Sequence, residues 1–303
     1  MERNNLLVII VAYNSMPWVE RCYDSLRNST YPCDILTIDN GSTDGTQNYI
    51  RTHYPEVELL ESEVNLGFGK ANNIGLQKAI DRNYQYVYLL NQDAWVKPDT
   101  FEKLIDFCSI HKEYGILSPM QLDGTAKAID KNLLNNILCA EDFRQSFIND
   151  YYFSNINEVY DTKDVPAAHW LITRQCLLSV GGFSPTFPHY GEDNNYAQRV
   201  LYHGYKIGIL PHVQAIHDRG DREPNLTKER QLYDTYIKLL IKTSNPYTPI
   251  FNNARKYGFI FLLRGIKRLD STYIKYSIRL LKENKSINDN IKKSIKGFAF
   301  LKA

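Results

Sequence analysis

Three apolar segments in the first third of the chain end in polar residues whose side chains can bind a ligand. They are Tyr13 and Asn14 after residues 6–12, Asp39 and Asn40 at the end of 34–39, and Asn91, Gln92 and Asp93 after 86–90. A carboxylate such as that of Asp93 can hold Mg²⁺ or Mn²⁺ through oxygen, because water and substrate phosphate fill the other positions. The alternative is that Asp93 only starts a turn before the next helix.

The stretch IDNGSTDGT, residues 38–46, joins a predicted strand to a predicted helix. The carboxylate of Asp39 can accept hydrogen bonds from a base N–H or a ribose hydroxyl. Ser42 and Asp44 favour the simpler interpretation of N-caps for the following helix.

The stretch NLGFGKANNIGL, residues 65–76, is a glycine-containing loop that runs into a helix. Glycine lets the backbone approach a ligand, and a helix N-terminus favours phosphate. Gly67, Lys70 and Asn72 are therefore candidate ligand contacts. The stretch matches neither GxGxxG nor the P-loop pattern, and Lys70 is equally explained as a solvated lysine.

Two acids and one histidine in the second half of the chain complete the set of candidates. Glu192 and Asp193 open a predicted helix, where acids suit the helix dipole. One of them can also act as a general base toward a substrate hydroxyl. His217 follows a predicted strand and opens a charged segment, as either a structural residue or a metal ligand.

The elements that must position these residues alternate between strand and helix. The predicted strands are 6–12, 34–39, 57–61, 86–91, 165–173 and 206–210, and helices are predicted at 18–28, 46–53, 69–82 and 100–111, around 174–183 and up to 203. Continuously apolar strands in this order predict an α/β fold with a Rossmann-like, mostly parallel sheet and helices on both faces. Ligands bind outside the carboxyl ends of such strands, so the polar strand ends are expected to face one crevice.

The rest of the chain is expected to serve other purposes. Residues 120–165 have weak periodicity and are interpreted as a variable insertion or an acceptor-side region. We predict a catalytic domain over 1–225 and a helical, basic C-terminal extension over 226–303. From residue 251 onward there are 13 Lys and Arg against 3 Asp and Glu, whereas residues 1–250 carry 23 against 31.

The basic extension alternates apolar and basic residues at helical spacing, as expected of a segment lying on an anionic membrane surface. A solvated helical extension or an oligomer contact is the alternative. We predict no spanning helix, because the apolar run 259–263 is far shorter than the ~20 residues required. We also predict no cleaved signal, and reduced thiols for five cysteines that lack metal-site spacing.

Six stretches, in the same order, resemble the blocks of the inverting, GT-A-fold glycosyltransferases of family 2. They are VAYN (11–14), IDNGSTDGT (38–46), NLGFGKANNIGL (65–76), LLNQD (89–93), LITRQCLLSVGGF (171–183) and GED (191–193). The likeness spans about residues 5 to 220. Asn91 replaces the first carboxylate of the family's DxD motif, and this NQD form looks like the branch of bacterial rhamnosyltransferases.

The resemblance implies a role for each candidate. Asp93 and His217 would bind Mg²⁺ or Mn²⁺, Asp39 would contact the nucleobase, and Asp193, paired with Glu192, would be the catalytic base. The implied donor-binding residues are Ala12, Tyr13, Asn14, Asp39, Asn40, Gly67, Lys70, Asn72, Asn91 and Gln92. A single displacement by an acceptor hydroxyl would invert the anomeric configuration, without a second carboxylate as nucleophile.

The implied partners are a dTDP- or UDP-linked sugar, with rhamnose suggested by NQD, and a glycan or lipid-linked acceptor in bacterial surface polysaccharide synthesis. A cytoplasmic enzyme, peripheral on the inner face of the membrane, is expected, with no nucleic acid as partner because no recognised motif accompanies the basic tail. A sugar-nucleotide nucleotidyltransferase is one alternative, opposed by AYNSMPW after the first strand. A non-catalytic module is another, opposed by the presence of Asp93, Glu192 and Asp193.

Overall fold

The computed structural model describes residues 4–134, 147, 149–219, 227–247 and 253–302. The strands are β1 (Leu6–Ala12), β2 (Asp34–Asp39), β3 (Glu58–Glu61), β4 (Tyr86–Asn91), β5 (Ala94–Val96), β6 (Tyr114–Asp123), β7 (Tyr160–Thr162), β8 (His169–Thr173) and β9 (Lys206–His217). The helices are α1 (Val19–Arg27), α2 (Thr46–His53), α3 (Phe68–Asp81), α4 (Thr100–Ile110), α5 (Arg174–Val180), α6 (Glu192–Tyr202), α7 (Lys228–Thr243), α8 (Asn253–Arg268) and α9 (Ser271–Lys296).

These strands form a mixed sheet in the order β3-β2-β1-β4-β8-β6-β9-β5, with β7 paired to β9. The first four strands are parallel, as predicted. The sheet is not parallel throughout, because β8 runs antiparallel to both β4 and β6, and β5 and β7 run antiparallel to β9. Strand β2 lies on one side of β1 and β4 on the other, so the chain reverses its strand order at β1, where ligands bind in such sheets.

Strand β1 shows why the sheet is covered on both faces. Leu7 and Ile9 pack in one core cluster, with residues of α3, α5 and α6. Leu6, Val8 and Ile10 pack in the other, with α1, α2 and α4. Because successive side chains point to opposite faces, a strand that is apolar at every position needs both layers. The predicted α/β fold with helices on both faces is confirmed.

The C-terminal helices α7 to α9 form a third cluster that also contains Phe187 of the preceding part of the chain. After α9 the chain returns to that part, where Ala299 N donates to Val180 O (3.2 Å) and Gly182 N donates to Ala299 O (2.8 Å). The extension is helical, as predicted, and packs on the remainder of the protein.

Some expectations concern residues outside the described ranges. Residues 135–146 and 148 of the 120–165 region, the 225/226 boundary and Cys139 lie there. Cys22, Cys33, Cys108 and Cys176 are free thiols. Among the described helices, none combines the length and apolar character required to cross a membrane.

Candidate active site

The loops that follow β1, β2 and β4 are joined by hydrogen bonds at the carboxyl edge of the sheet. Tyr13 N donates to Gln92 Oε1 (2.6 Å), and Gln92 Nε2 donates back to Tyr13 O (3.2 Å). Asn14, with a left-handed φ of 51°, donates its N–H to Ser42 Oγ (2.8 Å) and accepts from Thr43 N (2.8 Å). These predicted residues therefore lie together and brace one another.

The carboxylate of Asp39 shapes its own loop. It is buried, and it accepts from Gly41 N (3.0 Å), Ser42 N (2.9 Å), Ser42 Oγ (2.5 Å) and Gln47 Nε2 (2.6 Å). Asn40 Oδ1 accepts from Leu66 N (3.3 Å) and links this loop to the glycine-containing one. In the part of the chain that the structure describes, Oδ2 of Asp39 accepts only from Ser42 Oγ, whereas Oδ1 accepts the other three hydrogen bonds. The nucleobase contact of Asp39 stays a prediction.

The prediction that Ser42 and Asp44 are N-caps of the helix after β2 is only partly right. Neither Ser42 nor Asp44 is the N-cap of α2; that position is held by Gly45 in a left-handed conformation. Asp44 Oδ1 accepts from Thr46 N (3.1 Å), and its other oxygen accepts from Met16 N (3.1 Å). Asp44 thus joins the β1 loop to the start of α2.

The remaining donor-side candidates occupy different environments. Ala12 and Asn72 are buried, and Asn72 Nδ2 donates to Phe68 O within its own helix (3.0 Å). Lys70 is exposed on the first turn of α3. Gly67 has φ 77°, and an added Cβ would lie 3.2 Å from Pro188 O, so a side chain there is disfavoured.

A cavity of about 440 Å³ lies beside this edge of the sheet. It is lined by Phe68, Asn91, Asn132, Asp164, Pro166, Ala167, Ala168, His189, Tyr190, Glu192, Asp193, Asn194 and Arg219. Antiparallel β8 brings the segment before it to the end of β4, where Asn91 N donates to Ala168 O (3.1 Å). The cavity thus unites the end of β4 with the first turn of α6.

The first turn of α6 is set by two consecutive left-handed residues, Tyr190 (φ 67°) and Gly191 (φ 88°). An added Cβ at Gly191 would lie 2.9 Å from Ile237 Cγ2, so a larger residue does not fit. A non-glycine residue at positive φ costs free energy and is held by its surroundings. This turn directs Glu192 and Asp193 to the cavity.

Three carboxyl groups in this cavity have raised pKa values. Burial raises the pKa of Glu192 to about 7, with the charge of Asp193 as a second cause. Burial and then the charge of Asp193 raise the pKa of Asp164 to about 7. Burial also raises the pKa of Asp193, opposed by the Asn194 N–H and by Arg219. A base with a raised pKa is suited to proton transfer near neutral pH.

The predicted metal ligands lie side by side because β5 pairs with β9 and sets Ala94 opposite His217. His217 Nε2 is 3.4 Å from Asp93 Oδ1 and 3.5 Å from Asn91 Nδ2. Both Asp93 and His217 are buried. Within the described residues no three His, Cys, Asp or Glu side chains form a metal-binding group, so the pair Asp93 and His217 is the donor set to compare with a metal ion.

Two ligands fit a hard cation whose other positions are taken by water and substrate phosphate. Neighbouring ligands at ~2.1 Å from an octahedral ion lie about 3 Å apart, close to the observed Asp93–His217 separation. Buried His217 Nδ1 has no hydrogen-bond partner among the described residues, and Asp130 Oδ2 lies 3.9 Å from it. The donor set therefore fits Mg²⁺ or Mn²⁺, and its imidazole favours the softer Mn²⁺.

Arg219, Asp130 and Asp164 were missed by the sequence analysis. Arg219 Nε donates to Asp130 Oδ2 (2.9 Å). Its guanidinium also lies next to the side-chain amide of Asn132, whose oxygen accepts from Arg219 Nη1 (2.9 Å) when the amide is turned over. Asp130 Oδ1 accepts from the N–H groups of Asn132 and Leu133, as an N-cap does. Two features of the sequence pointed to two of these residues and were not used. They are the N-cap pattern at Asp130 and the position of Arg219 two residues after His217.

Comparison with known proteins decides the family. Residues 7–159 match the model of glycosyl transferase family 2, which is half of the chain. The chain belongs to this family. The prediction of a family 2 glycosyltransferase is confirmed.

The chain is similar to N-acetylglucosaminyl-diphospho-decaprenol L-rhamnosyltransferase of Mycobacterium tuberculosis, with 28% identity over 262 residues, 77% of this chain and 83% of the relative. Its fold is similar to that of TarS residues 1–349 of S. aureus in complex with UDP-GlcNAc, with a TM-score of 0.59, 13% identity and 96% and 90% coverage. It is also similar to the mannosyltransferase PcManGT of Pyrobaculum calidifontis in complex with GDP-Man and Mn²⁺, with a TM-score of 0.58, 17% identity and 94% and 88% coverage. The family 2 enzyme therefore has the predicted GT-A fold.

Proposed function

We propose that this glycosyltransferase moves a hexose, with rhamnose as the first candidate, from a nucleoside diphosphate to a hydroxyl of a lipid-linked glycan, with inversion. The observation that carries the proposal is the pair Glu192 and Asp193, placed with raised pKa values on the cavity that Asn91 and Arg219 also line. Residues 1–225 would carry the reaction.

Asp193 is the proposed base. Its carboxylate takes the proton of the acceptor hydroxyl while that oxygen attacks the anomeric carbon and the bond to the diphosphate breaks. Burial raises the pKa of this carboxyl, which makes it a stronger proton acceptor, while nearby Arg219 favours its ionised form. A single displacement of this kind inverts the sugar.

Arg219 is proposed to bind the leaving diphosphate. A guanidinium can donate two parallel hydrogen bonds to phosphate oxygens, which suits this role. Asp130 holds Arg219 Nε at 2.9 Å and so fixes the direction of the side chain. The arrangement would stabilise the negative charge that develops on the diphosphate as its bond to the sugar breaks.

Asp93 and His217 would hold Mg²⁺ or Mn²⁺. The bound ion would stabilise the charge that accumulates on the diphosphate. Asn91 lies beside both residues, and an amide in place of a carboxylate lowers the negative charge of the site by one. We therefore expect weaker metal binding than in a site with two carboxylates.

The rhamnose and lipid-linked acceptor assignments are supported by the name of the mycobacterial relative. A dTDP-linked donor is proposed, and a UDP-linked sugar, as in the TarS complex, is the second candidate. The proposed location is the cytoplasmic face of a membrane, where a lipid-linked acceptor is within reach.

A donor screen tests the proposal. Binding and hydrolysis of dTDP-rhamnose, UDP-GlcNAc and GDP-mannose would be measured with Mg²⁺, with Mn²⁺ and with EDTA. We expect metal-dependent binding of one donor, reduced at least about tenfold in Asp93→Ala and unchanged in the control Asp99→Ala, whose half-buried carboxylate pairs with Lys103. Equal binding by Asp93→Ala would remove Asp93 from the site, and formation of a nucleotide sugar from a sugar phosphate would indicate a nucleotidyltransferase instead.

A further inference from the structure

Helix α8 exposes large apolar residues along one side. Phe259, Leu263 and Ile266 are 49%, 67% and 56% exposed, and Leu269, just after the helix, is 93% exposed. The first three recur at helical spacing and therefore share one face. Solvated helices carry polar residues at such positions, and an apolar row of this kind marks an interaction surface.

The opposite side of α8 packs against the protein. This packing fixes which face of the helix is exposed. Ala254 and Phe261 are buried in the C-terminal cluster. Gly258 and Gly265 lie so close to α9 that an added Cβ would be 2.8 Å from Leu281 Cγ and 2.7 Å from Ile274 Cγ1. The glycines thus hold α8 with its apolar row outward.

Basic residues lie next to the exposed row. The five basic residues Arg255, Lys256, Arg264, Lys267 and Arg268 are all exposed, and the α8 sequence contains no Asp or Glu. Lys256 lies one turn before Phe259, and Lys267 lies one turn after Leu263, so both flank the row directly. The Arg268 side chain is directed toward α9, where its Nη1 donates to Tyr273 Oη (3.0 Å). We therefore call Phe259, Leu263, Ile266 and Leu269, with Lys256 and Lys267, the α8 face.

Helix α9 differs, although its sequence is as basic. Its apolar residues Leu280, Ile287 and Ile291 are buried in the C-terminal cluster. On α9 the exposed large apolar residue is Ile278 (44%), whereas α8 exposes three such residues in one row beside basic groups, so α8 presents the larger surface of this kind.

We propose that the α8 face docks in the plane of an anionic lipid surface. Its apolar row would enter the boundary between headgroups and acyl chains, while the long Lys side chains reach the phosphates. Each basic residue near such a surface strengthens binding about fivefold. A second copy of the chain fits less well, because two such faces would bring cations against cations.

The test is flotation of the full chain with vesicles of phosphatidylcholine alone and with about 30% phosphatidylglycerol. We expect binding to the anionic vesicles only, weakened at about 0.5 M salt by screening. Lys256→Glu/Lys267→Glu should reduce binding at least about tenfold. Its matched control, Lys282→Glu/Lys285→Glu on exposed positions of α9, should have a clearly smaller effect.

Leu263→Ser/Ile266→Ser should also abolish vesicle binding. All of these variants should bind the donor as the unchanged protein does, because none of their residues lines the cavity. Donor binding thus separates loss of the α8 face from loss of folding and from failure of the proposed activity. Equal binding to both kinds of vesicle, no binding to either, or a dimer that only Leu263→Ser/Ile266→Ser dissociates would overturn the proposal.

Discussion

Asp193, Asp164 and Glu192 share a cavity, so the ionisation of one affects the others. Burial raises all three pKa values, and the charge of Asp193 adds to the rise for Asp164 and for Glu192. Arg219 acts in the opposite direction on Asp193. The protonation state of the base is therefore a property of the group.

This coupling predicts a pH dependence. A carboxyl group with a raised pKa is protonated at low pH. We therefore expect kcat/KM to rise with pH as the group loses its protons, with the pKa values of Asp164 and Glu192 at about 7. Asp164→Asn removes a neighbouring negative charge, so the rise of kcat/KM with pH should occur at lower pH in this variant. The measurement is kcat/KM from about pH 5 to 9. The control is Asp106→Asn, which changes an exposed acid on α4. A pH profile of kcat/KM that is the same in Asp164→Asn as in the unchanged protein would contradict the coupling.

The sequence predicted the site residues that stand at the ends of regular elements. Asn91 follows an apolar strand, and Glu192 and Asp193 open a helix, so periodicity alone marks them. Asp164 and Arg219 lie in irregular segments, and only strand pairing brings them to the cavity. The sequence could not show that Asp39 and Asn72 are hydrogen-bonded within their own loop and helix.

At the scale of elements, the side chain of Asn73 on α3 forms hydrogen bonds with the backbone of the segment after α5. Asn73 Nδ2 donates to Phe183 O (2.9 Å), and Phe183 N donates to Asn73 Oδ1 (2.6 Å). The amide thus pairs with a backbone segment as another peptide would. Phe183 in turn contacts Phe68, which lines the cavity, with ring centroids 5.7 Å apart.

Loss of this amide should destabilise the protein. Asn73→Ala leaves the buried N–H and C=O of Phe183 without their partner, and it should lower the free energy of unfolding by about 1–3 kcal/mol. Urea denaturation measures the change. Lys70→Ala, at an exposed position of the same helix, should change it by less than about 0.5 kcal/mol. Equal stability of the two variants would show that the Asn73 pairing contributes little.

The strands also show what periodicity cannot reveal. The boundaries of β1, β2 and β4 were predicted closely, because long apolar runs are clear signals. Strand β5, which sets Asp93 beside His217, has three residues and is too short for a periodic pattern. The antiparallel direction of β8 depends on how the chain enters the sheet, and hydrophobicity does not encode that direction.

At the scale of the whole molecule, the C-terminal residues after α9 pack over the buried side chain of Arg199. Arg199 is fully buried, with a pKa lowered to about 10 by burial, and its guanidinium donates to Gly182 O (2.5 Å) and Val180 O. The ring of Phe300 lies 4.9 Å from this guanidinium. The sequence predicted a helical C-terminal extension over 226–303 but not this contact, because an amphipathic helix does not reveal which surface it packs on.

Removal of residues 297–303 should therefore destabilise the protein beyond the segment itself. It would expose Arg199 and remove the backbone hydrogen bonds that Phe298 and Ala299 make with residues 179–182. We expect Tm to fall by about 5 °C or more in a thermal melt. Lys302→Ala keeps these hydrogen bonds and should have the same Tm as the unchanged protein. A truncated protein with an unaltered Tm would show that the segment is not part of the fold.

The measurement that tests the central claim most directly compares turnover and donor binding in Asp193→Asn. The amide keeps the shape of the side chain but cannot take a proton at neutral pH. We predict that kcat for sugar transfer falls at least about 100-fold, while the donor dissociation constant changes by less than about threefold. Transfer at close to the original rate would contradict the assignment of Asp193 as the base.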